Sequence, residues 1–230
     1  HLEPVGVILA RAQALHCPVR LLHRDFDFEL QGTPWEQVFS YRSETLGVGP
    51  VPLGLSGDYQ GANAAVAVAL AESLMQKYPQ LEQNAITQGL KMAQWPCRLE
   101  RVLDNPPVII DVAHNPAGMR QLVRQIPRCV ALLAVSSDKK AAQMIRSLSA
   151  VAEPLILTQF KGHRALPIEQ LSAAAGDIPH QRVDRLEEAI TAGMRAASAE
   201  RPLVITGSIY TAGQARTFLV DTYNAPPLVF

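Results

Sequence analysis

At 230 residues and 25.0 kDa, with 48% hydrophobic content, the chain is long enough for one large domain or two smaller ones with a sizeable core. Its 21 basic and 21 acidic side chains give a formal net charge of zero, so nothing in the totals calls for nucleic acid or an anionic membrane as a partner, and any basic site must be local. No apolar stretch approaches the roughly 18 residues of a membrane span.

In chain order, residues 5–15 read as a short helix that lacks the basic start and small-residue cleavage site of a signal peptide, and residues 18–22 read as a strand. The polar/aromatic alternation of His23-Arg24-Asp25-Phe26-Asp27-Phe28 suits a half-exposed antiparallel strand. Residues 47–57, rich in Gly and Pro, read as a loop. Ala64, Ala67, Val68, Ala71, Leu74 and Met75 recur at helical spacing and predict an amphipathic helix over 60–78, packed closely through small residues. A second helix follows at about 84–94.

From Trp95 onward the pattern becomes a regular alternation. Strands are predicted at 108–111, 129–135, 155–159, around Arg182 and at 203–206; helices at 116–126, 139–151, 167–175, 185–199 and about 210–223. Met119, Leu122, Val123 and Ile126 form one apolar stripe, and Leu186, Ala189, Ile190 and Met194 another. Alternating β and α implies a parallel, doubly wound sheet. Pro96 ends the preceding helix, which sets the domain boundary there: residues 1–95, then 96–230.

Three strand ends of the second domain carry polar groups and should open on one edge of the sheet, where ligands of open α/β sheets bind. The first is Asp111-Val112-Ala113-His114-Asn115-Pro116, with Asn115 a helix cap and Pro116 at the first helical position, leaving free N–H groups that favour an anion. Read alone, it is more readily a well-capped turn with an incidental histidine. The second is Ser136-Ser137-Asp138-Lys139-Lys140, where Asp138 can cap its helix. Lys139, a cation opposing the dipole at a helix start, makes more sense if it meets an anion. The third is Thr206-Gly207-Ser208, a close backbone approach with a hydroxyl, or a simple turn. Arg98 suits phosphate, or an ion pair with Glu100 or Asp104. Asn63, early in its helix, suits a cap or a packing amide.

Cys17, Cys97 and Cys129 have no C-x-x-C spacing and fit a reducing compartment, with the cytosol the default. The six histidines show no H-E-x-x-H spacing, so we expect no metal site from this chain alone. Neither G-x-x-x-x-G-K-[ST] nor G-x-G-x-x-G occurs.

Taken in order, residues 57–65 (G-D-Y-Q-G-A-N-A-A), 95–100 (W-P-C-R-L-E), 106–116 (P-P-V-I-I-D-V-A-H-N-P), 136–139 (S-S-D-K), 157–166 (L-T-Q-F-K-G-H-R-A-L) and 204–210 (V-I-T-G-S-I-Y) resemble the second half of folylpolyglutamate synthase and the bifunctional dihydrofolate synthase, within the Mur ligase superfamily. His23-Arg24-Asp25-Phe26 also looks like a late strand of that family's central domain, and Cys97 stands where the family usually has Gly. The resemblance implies a Rossmann-like, mostly parallel C-terminal domain preceded by a remnant of the central P-loop ATPase domain. It implies an ATP-dependent, amide-forming ligase that phosphorylates a carboxylate of dihydropteroate or (tetrahydro)folylpolyglutamate and lets L-glutamate attack the acyl phosphate. Under it, Asn63, Arg98 and Asp111 match nucleotide-contacting positions, His114 and Ser208 positions near the incoming glutamate, and Lys139 a group steadying phosphate or glutamate charge.

The family's cofactors, ATP and Mg2+, are expected in the full-length enzyme, with the metal ligands outside this chain. The start at His1 rather than Met reads as truncation, and the fragment alone is expected to be inactive. We expect a cytoplasmic monomer that binds neither nucleic acid nor membrane. A Mur-type ligase with another acceptor, and a non-catalytic small-anion-binding module, are the alternatives.

Overall fold

The structure, a computed structural model, describes residues 3–228. They divide into two compact units, one running to Gln94 and one starting at Trp95.

The first unit contains α1 (Glu3–Ala14), β1 (Phe26–Thr33), β2 (Glu36–Ser43), β3 (Gly47–Leu53), α2 (Tyr59–Leu74) and α3 (Gln83–Met92), with the strands forming an antiparallel meander in the order β1-β2-β3. In β2 the buried residues Gln37, Phe39 and Tyr41 alternate with more exposed ones, the period of two of a one-sided sheet. Phe39 and Tyr41 pack with Val48, Val51 and Leu53 of β3 and with Ala64, Ala65 and Val68 of α2. Small side chains on α2 let the helix lie close to the sheet.

Two expectations are corrected here. Of residues 47–57, read as a loop, only 54–57 lie outside regular structure: Val48, Val51 and Leu53 face the core from β3, and Pro50 and Pro52 are tolerated because β3 is an edge strand. The register shifts between Phe39 and Tyr41, and Gly49 (φ +103°) sits where a Cβ would lie 2.5 Å from the Phe39 carbonyl oxygen. Residues 18–22 form no strand, and only Leu22 makes an isolated bridge, to Phe26. The Leu21 N–H donates to the Asp25 carboxylate at 2.6 Å and the Asp25 N–H to the Leu21 carbonyl at 2.9 Å, so this stretch is used in a turn, with His23 at φ +67°. The expected strand of residues 23–28 accordingly begins at Phe26.

The second unit runs β4 (Glu100–Asp104), β5 (Pro107–Ile110), α4 (Pro116–Gln125), β6 (Cys129–Leu133), α5 (Ala141–Leu148), β7 (Ala152–Gln159), α6 (Ile168–Ala175), β8 (Gln181–Arg185), α7 (Leu186–Ala196), β9 (Leu203–Thr206) and α8 (Ile209–Tyr223). Its sheet has the order β4-β5-β9-β6-β7-β8; β4 is antiparallel to β5 and the remaining pairs are parallel. Every residue of β6 and of β9 is buried, as expected for central strands covered on both faces. The stripes read from the sequence face inward, with Met119, Leu122, Leu186, Ala189 and Ile190 at most 3% exposed. The antiparallel strand β4 was not anticipated, and it adds an edge to an otherwise parallel sheet.

Inserting β9 between β5 and β6 sets the carboxyl ends of these strands side by side, at the point where the strand order departs from chain order. The Asp111 N–H donates to the Ile205 carbonyl at 3.1 Å and the Ala134 N–H to the Thr206 carbonyl at 3.2 Å, which keeps the three ends level.

Candidate functional site

Asp111 follows the last residue of β5 and is 4% exposed. Its two carboxylate oxygens accept the Leu99 N–H at 2.9 Å and the Ala113 N–H at 2.8 Å. The Val112 N–H donates to the Cys97 carbonyl at 3.0 Å, so the end of β5 is tied twice to the loop carrying Arg98. In that loop Cys97 (φ +60°) and Leu99 (φ +47°) both adopt the left-handed conformation, and Leu99 is fully buried. Arg98 stands between them, half-buried, with no hydrogen bond or ion pair among the described residues. Neither ion-pair partner weighed from the sequence is engaged with it: Asp104 pairs with Arg101 at 2.8 Å and Glu100 with Arg216 at 2.8 Å.

His114 is exposed and its Nδ1 lies 3.0 Å from the Val112 carbonyl oxygen. A carbonyl can only accept, so Nδ1 carries the proton and Nε2 of the neutral ring is left as an acceptor. Asn115 caps α4, accepting the Gly118 N–H at 2.8 Å, and Pro116 occupies the first turn, as read from the sequence.

At the ends of β9 and β6, Ser208 caps α8 by accepting the Tyr210 N–H at 3.2 Å, and its hydroxyl lies 3.3 Å from that of Ser136. Gly207 (φ +113°) is required here, because a Cβ would lie 2.5 Å from the Ala134 carbonyl oxygen. Asp138 does not cap α5, contrary to expectation. The helix begins at Ala141, and Asp138 instead holds the Lys139 ammonium at 2.7 Å, a contact that lowers the Asp138 carboxyl below its ordinary range. Lys139 thus lies in the turn ahead of α5, where its N–H donates to the Ser136 carbonyl at 3.1 Å.

Arg164, not singled out in the sequence, joins this second group. Its carbonyl accepts the Ser137 N–H at 2.9 Å, and its guanidinium donates to the Tyr210 hydroxyl at 3.3 Å while lying 5.7 Å from that ring's centroid. Applying the strand-end rule to β7 as well would have found it, since Arg164 follows that strand's end at Gln159.

Asn63 lies on α2 in the first unit, exposed, donating to the Gln60 side chain at 2.8 Å. A cavity of about 440 Å³ lies along the same edge at the ends of β7 and β8, against Phe160, Lys161 and Arg185, and none of the residues predicted from the sequence line it. Among the described residues no group of three or more His, Cys, Asp or Glu side chains is placed to hold a metal ion, and no helix is long and apolar enough to cross a membrane.

Burial pushes the Cys97 thiol up to about 11, with the Glu100 charge adding to it, and burial alone pushes Cys129 up to about 12. Neither is a thiolate near neutral pH. The arrangement is therefore an anion-receptive edge of cations, helix starts and hydroxyls, with an imidazole acceptor beside it.

Residues 97–209 match the family model described as Mur ligase, glutamate ligase domain. The folylpolyglutamate synthase of Lacticaseibacillus casei is 30% identical over 232 residues, covering 96% of this chain and 53% of that protein. The dihydrofolate synthase/folylpolyglutamate synthase of Mycobacterium tuberculosis is 34% identical over 190 residues, covering 72% and 39%. Among solved structures, the M. tuberculosis folylpolyglutamate synthase complexed with ADP superposes with a TM-score of 0.83 at 29% identity, covering 93% of this chain and 52% of that one. The Thermotoga maritima folylpolyglutamate synthase gives a TM-score of 0.78 at 27% identity, covering 95% and 52%. The chain spans about half the length of the relatives it matches. The second unit thus carries a Mur ligase, glutamate ligase domain over residues 97–209, and the chain as a whole is similar to about half of each of these folylpolyglutamate synthases.

Proposed function

We propose that the full-length protein carrying this sequence is a cytoplasmic, monomeric, ATP-dependent ligase that joins L-glutamate to dihydropteroate, to a (tetrahydro)folylpolyglutamate, or to both. The observation that carries this reading is the Arg98 guanidinium, without a partner among the described residues, on a loop pinned to the carboxyl end of β5. A fixed cation there suits phosphate, and the M. tuberculosis folylpolyglutamate synthase structures complexed with ADP and AMPPCP support ATP as the phosphate donor.

In the proposed reaction a carboxylate oxygen of the pteroate or folate attacks the γ-phosphorus of ATP, and the bond to ADP breaks to give an acyl phosphate. The glutamate amine then attacks the acyl carbon, phosphate leaves, and an amide remains. Arg98 and Lys139 supply positive charge where negative charge develops on the transferring phosphoryl group. Asp111 serves nucleotide binding by holding the Arg98 loop through Leu99. His114, with Nε2 as acceptor, orients the amine and takes the proton it must lose. Ser208 and the start of α8, with Arg164 beside them, receive the carboxylates of glutamate. For Asn63, in the first unit, the family resemblance alone supports a nucleotide-contacting role. We assign Mg2+ no residue of this chain; among the described residues no cluster of acids, thiols or imidazoles is placed to hold it. Lacking a phosphate-binding G-x-x-x-x-G-K-[ST] loop, the 230 residues alone are expected to be inactive.

The test is phosphate release from ATP by the full-length protein, with the pteroate or folate and L-glutamate each omitted in turn. Release only when both are present supports the ligase. No release with any pteroate or folate overturns it, and a different acceptor that restores release would assign another Mur-type specificity.

A further inference from the structure

We propose that Arg216, remote in sequence from the site, is a positioning residue for Arg98 and acts on it through Glu100. The inference rests on the reading of Arg98 as a phosphate ligand given above.

Arg98 is flanked by two non-glycine residues in the left-handed region, Cys97 at φ +60° and Leu99 at φ +47°. Such a backbone persists only where its surroundings fix it. Two of the ties come from the end of β5: the Val112 N–H to the Cys97 carbonyl at 3.0 Å, and the Leu99 N–H to the Asp111 carboxylate at 2.9 Å. The third comes from a different direction. The Cys97 N–H donates to Oε2 of Glu100 at 2.8 Å, while Oε1 of the same carboxylate accepts from Nη2 of Arg216 at 2.8 Å. Arg216 lies on α8 and is 7% exposed, and its Nη1 donates to the Pro226 carbonyl at 2.9 Å.

The carboxylate of Glu100 therefore has one oxygen on the loop and the other on a buried cation that is itself held at both ends. Charge-assisted bonds of this kind are the strong ones, and they set orientation as well as energy. Without the Arg216 charge, a carboxylate only 23% exposed loses its counter-ion and turns toward water, which releases the Cys97 N–H. Cys97 is then free to leave the left-handed conformation, and the Arg98 guanidinium loses its fixed place. The same helix begins at the Ser208 cap, so Arg216 joins the Arg98 loop to the element that starts the other half of the edge.

The experiment is a double-mutant cycle in the full-length ligase, reading KM for ATP and KM for glutamate separately. Arg98→Ala, Arg216→Met and the double variant form the cycle, with Arg216→Lys and Glu100→Gln beside it. Arg216→Met is expected to raise KM for ATP about tenfold and leave KM for glutamate within about twofold. The double variant is expected to be no worse than Arg98→Ala, because both changes remove one interaction. Arg216→Lys, which keeps the charge, should recover most of the loss.

A merely structural role would lower the unfolding midpoint and leave the two KM values unchanged or shifted together. That outcome, or full additivity with Arg98→Ala, overturns the proposal. Should Arg216→Met not fold, Glu100→Gln makes the same comparison with side-chain volume preserved, and an unchanged KM for ATP in that variant also overturns it. An unchanged KM for ATP in Arg98→Ala would instead remove the reading of Arg98 on which it rests.

Discussion

The Asp111 carboxylate holds the Leu99 backbone N–H at 2.9 Å, across 12 positions of sequence, so the acid that ends β5 also shapes the loop that presents Arg98. With its second oxygen on the Ala113 N–H, Asp111 has a structural task that cannot be separated from any ligand contact. Replacing it by Asn puts an amide N–H₂ where one of two buried N–H groups needs an acceptor. Asp111→Asn is expected to lower stability by about 1–3 kcal/mol in urea unfolding and to raise KM for ATP in the full-length enzyme. A variant as stable as the parent would show that the two bonds contribute little.

Cys97 tests the backbone of the same loop. At φ +60° a side chain is strained, and glycine is not. Cys97→Ala and Cys97→Gly both remove the buried thiol, but only the second removes the strain. The glycine variant is expected to be the more stable of the two by about 1 kcal/mol, measured by thermal unfolding. The reverse order would mean that lost packing at this position outweighs backbone strain.

Thiol labelling gives an independent reading of burial. Cys17 is exposed, whereas Cys97 and Cys129 are buried, with thiols pushed up to about 11 and about 12. A maleimide at neutral pH is expected to modify Cys17 alone in the folded protein and all three cysteines after denaturation. Fast labelling of Cys97 in the folded state would contradict the pinned loop.

In the first unit, Glu72 lies among Arg20 at 2.7 Å, the Tyr41 hydroxyl at 2.6 Å, the Ser43 hydroxyl at 2.6 Å and Thr45. Burial pushes its carboxyl upward, but the bonds from Ser43, Thr45, Tyr41 and Arg20 outweigh burial and bring it down to about 2 from an ordinary 4.5. A depressed carboxyl contributes stability above its unfolded value and loses it as pH falls through the folded one. The stability lead of the parent over Glu72→Gln, about 3 kcal/mol near neutral pH, is expected to shrink between pH 4.5 and pH 2. A lead independent of pH in urea titrations would show that the carboxyl is not the source.

The parallel strands were legible because strands buried on both faces are continuous apolar runs, as in Cys129–Leu133 and Leu203–Thr206. Two of the edge strands were not. Strand β3 was hidden by Pro50 and Pro52, which only an edge position permits, and β4 by its charged sequence Glu100-Arg101-Val102-Leu103-Asp104. Asp138 looked like a cap because it precedes an apolar stretch, yet the chain makes a further turn before α5 begins at Ala141. Arg216 was out of reach for a different reason: its partner Glu100 is 116 residues away, and no local pattern signals a pair that the fold itself creates.

The most direct measurement is a crystal structure of the full-length protein with ADP bound. The account predicts a phosphate oxygen within about 3 Å of the Arg98 guanidinium, at the carboxyl edge of β5 and with Cys97 and Leu99 still left-handed. A nucleotide bound with Arg98 turned away from its phosphates would contradict it.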